Sequence, residues 1–204
     1  MDIVTAHRLA TRQFDLRMQS IRDGQWDNRT PCAEWTVRDL VNHLVYEQLW
    51  VPDLIAGKTI AEVGDAYEGD VLGDDPLDAW QQASAAALAA VAEPDAMERT
   101  VHLSFGECPA DEYVDQLVID LAVHAWDLAR GIGADDTVPN DLGTMIADLV
   151  REHQDELTGS GMFGEPQGIT ACTDDFTEAL ARLGRRPWKR FDPKSGYVDS
   201  LIDI

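Results

Sequence analysis

The chain of 204 residues is short of positive charge: 16 Lys and Arg stand against 38 Asp and Glu, a formal net charge of −22. Every phosphate contact of a nucleic acid or an anionic membrane draws on Lys or Arg, and the long-range field here is repulsive, so neither is expected as the main partner. Cysteine is scarce as well. Cys32, Cys108 and Cys172 are an odd number at no metal-site spacing. They suit small buried thiols in a reducing compartment better than a disulfide framework, and no motif around them makes a nucleophile. No apolar run reaches the length of roughly 18 residues that a membrane helix needs, and the N-terminus lacks the basic, apolar and small-residue regions of a secretory signal. A soluble cytoplasmic protein is the expectation.

Apolar side chains are plentiful at 45%, enough for the core of one domain, or of one domain with a tail. The charge is uneven. Only Lys58 offsets the acidic residues between Asp39 and Glu98, whereas Arg182, Arg185, Arg186, Lys189 and Arg190 crowd together near the end. Composition favours Arg and Ala over Lys, a bias that fits a high-GC actinobacterial source.

Helical periodicity dominates. Ile3, His7, Ala10, Phe14, Met18 and Ile21 recur three or four apart behind a possible N-cap, Asp2, predicting a helix over 2–22. Thr36-Val37-Arg38-Asp39 reads as a capping box that opens a second helix, ending or kinking near Pro52. Residues 57–75 read as a long acidic loop, after which Asp75-Pro76 starts a third, Ala-rich helix that stops before Pro94. Val101, Leu103 and Phe105 alternate with polar residues in a short extended segment closed by Gly106. A fourth helix over about 110–131 is apolar on almost every side, the mark of a central one, with Gly131 placed to cap it. A fifth, shorter helix is expected at 141–157, then a Gly-rich loop from Gly159 to Gly168, a short helix around Phe176 to Leu183 and a polar tail from Arg185. The fold class implied is all-α, a four-helix bundle over residues 1–188 with an additional short C-terminal helix, followed by a tail over 189–204.

Asp120 and His124 stand four apart on that central helix, and Asp127 lies close to the same line. A carboxylate in such a setting must be paired, hydrogen-bonded or bound to a cation. His43 flanks the apolar stripe of the second helix, with Glu47 one turn later. A bundle that joins the two helices could converge His43, Asp120 and His124 as an open site for Zn²⁺ or another divalent ion. The same spacing serves a plain core hydrogen bond from His124 to Asp120, and the residues alone leave both readings open. His7 reads as a satisfied core histidine, His102 and His153 as surface residues, and Asp127 as the partner of Arg130 in a salt bridge on one helix face. Trp35, Trp50 and Trp126 are candidates for a pocket lining or for the core.

Three separated motifs narrow the choice: Thr30-Pro31-Cys32-x-x-Trp35-Thr36-Val37-Arg38-Asp39-Leu40-Val41-x-His43-Leu44, Asp120-x-x-x-His124-Ala125-Trp126-Asp127-Leu128-Ala129, and Leu183-Gly184-Arg185-x-Pro187-Trp188. Together they resemble the DinB/YfiT-like metal-binding proteins related to the N-terminal domain of mycothiol-dependent maleylpyruvate isomerase. The resemblance implies a four-helix bundle with a divalent metal, usually zinc, on His43, Asp120 and His124. It also implies a low-molecular-weight thiol such as mycothiol as co-substrate. The isomerase has Glu where this chain has Asp120, and it carries a further C-terminal domain for which no counterpart is expected here.

The function that follows is a metal-dependent thiol S-transferase or isomerase, the metal activating the thiol and Glu47 or Asp127 accepting its proton. Its rival is a non-catalytic bundle that binds a metal or a small ligand. The expected partners are a thiol and an electrophile, and exposed helix faces suit a homodimer.

Overall fold

The computed structural model describes residues 1–104, 106–159, 163–168 and 174–198. Phe105, Cys172 and the middle of the expected Gly159 to Gly168 loop lie outside them. The chain forms helix α1 (Ile3–Met18), α2 (Val37–Ile55), a short α3 (Ile60–Val63) and α4 (Pro76–Val91). Strands β1 (Thr100–Leu103) and β2 (Gly106–Pro109) precede α5 (Ala110–Ile132), α6 (Asn140–Glu152), α7 (Gln154–Gly159) and α8 (Asp175–Arg182). Strands β3 (Phe191–Asp192) and β4 (Gly196–Tyr197) follow.

The starts of α1, α2 and α4 are set by side chains that satisfy free N–H groups of the first turn, whereas α5 and α6 begin directly after Pro109 and Pro139. The Asp2 carboxylate accepts from Thr5 N at 2.9 Å, and Asp75 accepts from Asp78 N at 3.1 Å ahead of Pro76. At the start of α2 the Thr36 hydroxyl accepts from Asp39 N, while the Asp39 carboxylate accepts from Thr36 N at 2.9 Å. This capping box fixes the entry angle of the helix that carries His43. Pro52 does not end α2, which runs on to Ile55. α1 stops at Met18, so Ile21 lies beyond it.

The four long helices pack in a closed circuit, α1 against α5 and α4, α2 against α4 and α5. Their shared core holds Phe14, Leu40, Leu44, Trp80, Leu121 and Leu128, all fully buried, with the Phe14 and Trp80 rings 4.6 Å apart. α5 is the central element, and its residues from Leu121 to Ala129 are all buried. The cap of α5 is Gly133, in the left-handed conformation at φ 68°, and not Gly131. Gly131 serves a different purpose: a Cβ there would sit 3.1 Å from both Arg29 O and a Val37 methyl, so its absence lets the turn before α2 lie against α5.

Several expectations need correction. The fold is mostly helical without being all-α. The extended segment near Val101 is one strand of an antiparallel hairpin, with Val101 opposite Cys108 and Thr100 opposite Pro109, and a second hairpin pairs Phe191 with Tyr197. The acidic loop contains α3, started by its own Thr59–Glu62 capping box. The single helix expected at 141–157 breaks at His153 into α6 and α7. The segment after Arg185 folds back on the body: Arg29 N donates to Pro193 O at 2.8 Å, Lys194 Nζ to the Asn28 side chain, and Arg130 to the Lys189 carbonyl. Gly184 turns the chain toward that segment at φ 83°, so close to the Gly164 backbone that a Cβ would fall 2.7 Å from it.

His7 is fully buried in α1, and among the described residues neither ring nitrogen has a hydrogen-bond partner. It is a core histidine, but not a satisfied one. Burial pulls its pKa from 6.5 to about 4. Between those values the unfolded chain binds the proton and the folded one does not, so stability rises with pH and is lost as pH falls. The expected cost is roughly 2 kcal/mol at pH 5. Urea titrations at pH 5 and pH 7 should show the stability difference between the native chain and His7→Leu changing by about 2 kcal/mol in favour of the native chain at the higher pH, the other titrating groups being common to both. A difference that is the same at both pH values would discard the assignment.

Candidate metal centre

α2 and α5 bring His43, Asp120 and His124 to one point. The Asp120 carboxylate reaches both rings, with Oδ2 3.2 Å from His43 Nε2 and Oδ1 3.2 Å from His124 Nε2. The donor atoms of all three residues lie within 4.8 Å of one another. Trp35, carried on the turn before α2, packs on both imidazoles, its ring 4.8 Å from that of His43 and 5.6 Å from that of His124. His43 and Asp120 keep about a quarter and a fifth of their side-chain surface in contact with solvent, whereas His124 keeps 5%. The site therefore has a wet side and a dry side.

The dry side holds the His124 ring in place. His124 Nδ1 donates to Asp127 Oδ2 at 3.0 Å, and Asp127, fully buried, also accepts from Arg185 NH2 at 2.7 Å. Asp127 therefore pairs with Arg185 rather than with Arg130, which bonds Asp136 at 3.0 Å instead. Burial opposes the charge on Asp127, but the Arg185 guanidinium, with help from His124, outweighs burial and holds the carboxyl below its ordinary range. Arg185 is the residue that sequence reasoning missed. Its one signal was membership of the Leu183-Gly184-Arg185 motif, which gave no hint of a contact 58 positions away.

With the Nδ1 proton committed to Asp127, the Nε2 atom of a neutral His124 presents a lone pair to a carboxylate oxygen. Two such groups at 3.2 Å repel unless a cation stands between them. In the protein alone that cation is a proton: burial lowers the His124 pKa, but Asp120 and then Asp127 override it and hold it at about 9. A metal ion satisfies the same requirement. Ligand atoms at ordinary zinc bond lengths in a tetrahedral arrangement lie about 3.3 Å apart, near the separation of each imidazole Nε2 from its own Asp120 oxygen, and two imidazoles with one carboxylate are a common zinc donor set. The residues fit the ion.

Glu47 sits one turn beyond His43 with its side chain largely withdrawn from water, and burial, then the nearby Asp120 charge, push its carboxyl up to about 7. Cys32 comes within 4.8 Å of the His124 and Asp127 donor atoms. Burial and then Asp127 push its thiol up to about 12, and it remains protonated. Trp50 and Trp126 are buried core residues. His102 and His153 stand away from the centre, paired with Glu107 and Glu156.

The chain matches a family described as the mycothiol maleylpyruvate isomerase N-terminal domain over residues 7–129. It belongs to that family. The matched span contains His43, Glu47, Asp120, His124 and Asp127 but stops short of Arg185. Among proteins similar to this chain are the uncharacterised proteins Rv0738 and MT0763 from two strains of Mycobacterium tuberculosis. Each is 33% identical over 133 residues, 65% of this chain and 69% of its own length. Two crystal structures share the fold. The mycothiol-dependent maleylpyruvate isomerase superposes with a TM-score of 0.64 at 17% identity, covering 99% of this chain and 93% of that one. A histidine-to-alanine variant of a mycothiol-dependent maleylpyruvate isomerase gives 0.59 at 19% identity, covering 81% and 73%. The first match is not confined to an N-terminal part of the isomerase, so the expectation that its C-terminal portion lacks a counterpart here is revised. Among the described residues, no helix is long and apolar enough to cross a membrane.

Proposed function

We propose that the chain is a metal-dependent enzyme that uses a small thiol, a transferase or isomerase built on the DinB/YfiT-like four-helix bundle, with its ion on His43, Asp120 and His124. The observation that carries this reading is the Asp120 carboxylate set between two imidazole Nε2 atoms at 3.2 Å, one of them on a ring whose other nitrogen is committed to Asp127. Family membership supports the thiol, because the solved isomerases of this fold are named for their dependence on mycothiol. A zinc or similar ion, when bound, supplies a positive centre that lowers the pKa of a thiol.

The protein's own residues divide the remaining work. Asp127 and Arg185 fix the plane of the His124 ring. Trp35 covers the two imidazoles and excludes water from that side. Glu47 is the proton acceptor: its carboxyl, pushed up to about 7, can take a proton near neutral pH and give it back. Asp127, also a candidate on sequence grounds, is tied to Arg185 and held low, so it orients rather than exchanges protons.

The test is calorimetric titration of the zinc-loaded protein with mycothiol, and with glutathione as control, followed by a conjugation assay using an activated aromatic chloride. Saturable mycothiol binding is expected. The rate should rise with pH as Glu47 loses its proton, at a pH below the metal-free value of about 7 because the ion's charge favours the carboxylate, and Glu47→Gln should lose that rise while still binding the thiol. A zinc-loaded protein without affinity for mycothiol would sink the thiol reading and favour a non-catalytic binder.

A further inference from the structure

Helices α2 and α5 run in opposite directions across the centre: Val37 lies against Gly131, and His43 meets Asp120. Positions after His43 therefore face positions before Asp120. Glu47 is one turn past His43 on the same flank of α2. Tyr113 comes seven residues before Asp120, close to two full turns, and so shares its face of α5. Along the seam between the two helices the order from the ion site is thus Glu47 and then Tyr113.

Tyr113 is 5% exposed, and among the described residues its hydroxyl has no hydrogen-bond partner. Packing alone does not call for that oxygen, since a phenylalanine ring fills the same space and leaves no polar atom without a partner. Burial, and then the nearby Glu47 charge, push the hydroxyl well above the usual phenol range, so it keeps its proton and stays a donor. The Glu47 side chain is itself largely withdrawn from water. A buried donor and a buried carboxyl on one seam, with no direct bond between them, are the setting in which an ordered water bridges two protein groups.

We propose that Tyr113 is a positioning residue for Glu47: its hydroxyl, through one bound water, holds the Glu47 carboxyl in the place from which it takes the thiol proton. The proton role of Glu47 is that of the preceding reading, on which the proposal rests, whereas the hydrogen bond itself can be measured without turnover. Tyr113 acts on the reaction through Glu47 alone. Its loss therefore lowers kcat and leaves the grip on the thiol, which belongs to the ion, as it was.

The experiment starts from Tyr113→Phe, which removes the hydroxyl and leaves the ring. Conjugation of mycothiol to the activated aromatic chloride by the zinc-loaded protein should lose at least about tenfold in kcat, with KM for the thiol and its calorimetric affinity within about twofold of native. The melting temperature of the metal-free protein should not fall, because no bond between protein groups is broken. In a Glu47→Gln background the same substitution should cost less than about twofold more, since the group it positions is gone. A second arm needs no activity. In metal-free protein carrying isotope-labelled tyrosine, the NMR signal of the Tyr113 Cζ carbon, assigned by its absence from Tyr113→Phe, should move on Glu47→Gln and hold on Glu112→Gln, which removes an exposed charge next to it in sequence. A native kcat in Tyr113→Phe, losses that multiply in the double variant, a fallen melting temperature, or a Tyr113 signal indifferent to Glu47→Gln would each overturn the proposal. Absence of any conjugation, or a native rate in Glu47→Gln, would instead fault the preceding reading, and the Tyr113 signal would then decide the hydrogen bond alone.

Discussion

Asp127→Asn is expected to lower folding stability by about 3–5 kcal/mol, a loss out of proportion to the exchange of one oxygen for an amide. The side chain keeps its shape, so packing in α5 is undisturbed. What disappears is the charge that balances Arg185, a guanidinium with 6% of its surface exposed, which would be left buried and uncompensated. The amide must also face His124 Nδ1, and its oxygen can serve that donor or Arg185 better than both. Urea unfolding of metal-free protein measures the loss. The double variant Asp127→Leu, Arg185→Leu should recover much of it, because removing both partners leaves no orphaned charge. A single-variant loss below about 1 kcal/mol would mean that water reaches Arg185 and that the pair is not the brace described above.

Asp120→Asn is expected to weaken zinc binding by more than about 100-fold, because substitutions in the shell outside the ligands already cost 10- to 100-fold and this one removes a ligand charge. Competition against a chromophoric chelator reads that change. The proton inventory adds an independent check. In the metal-free native protein the raised pKa of His124, about 9, stabilises the fold fully below the unfolded value of 6.5, and that contribution is lost as pH rises through 9. Zinc must displace that proton. At pH 7.5 calorimetry in buffers of different ionisation enthalpy should therefore show about one proton released per ion bound by the native chain. In Asp120→Asn the ring has lost its main anionic neighbour, and both the release and the stability window should shrink. An Asp120→Asn protein that binds zinc within threefold of the native chain would refute the ligand assignment.

The contrast between these two aspartates shows how far the sequence could be read. Asp120 was legible because an i, i+4 carboxylate and imidazole on an otherwise apolar helix require a cation or a donor, and because His43 stood on the neighbouring helix. The hydrophobic period of α5 and the capping box of α2 likewise depend on neighbours a few residues apart. Asp127 was assigned to Arg130 by the same local logic, wrongly, since the true partner comes from a segment beyond α8 that looked like a polar tail. Local rules weigh i, i+3 pairs and have no term for a guanidinium delivered by a distant turn. Gly131 was misread for a related reason. A glycine near a helix end suggests a cap, whereas here the missing Cβ makes room for Arg29 O and Val37. The strand at Val101 was legible from its alternation, but its partner Gly106–Pro109 and the two-residue strands β3 and β4 carry no alternating apolar pattern to read.

The reach of Arg185 has a consequence for how the centre is made. His43, Asp120 and His124 all leave the ribosome well before Arg185, whose arrival completes the brace on His124 through Asp127. During synthesis the three proposed ligand residues are therefore present before the guanidinium that holds the Asp127 carboxylate against His124. A fragment ending with the family-matched region would keep His43, Asp120 and His124 without the guanidinium that braces the His124 ring through Asp127.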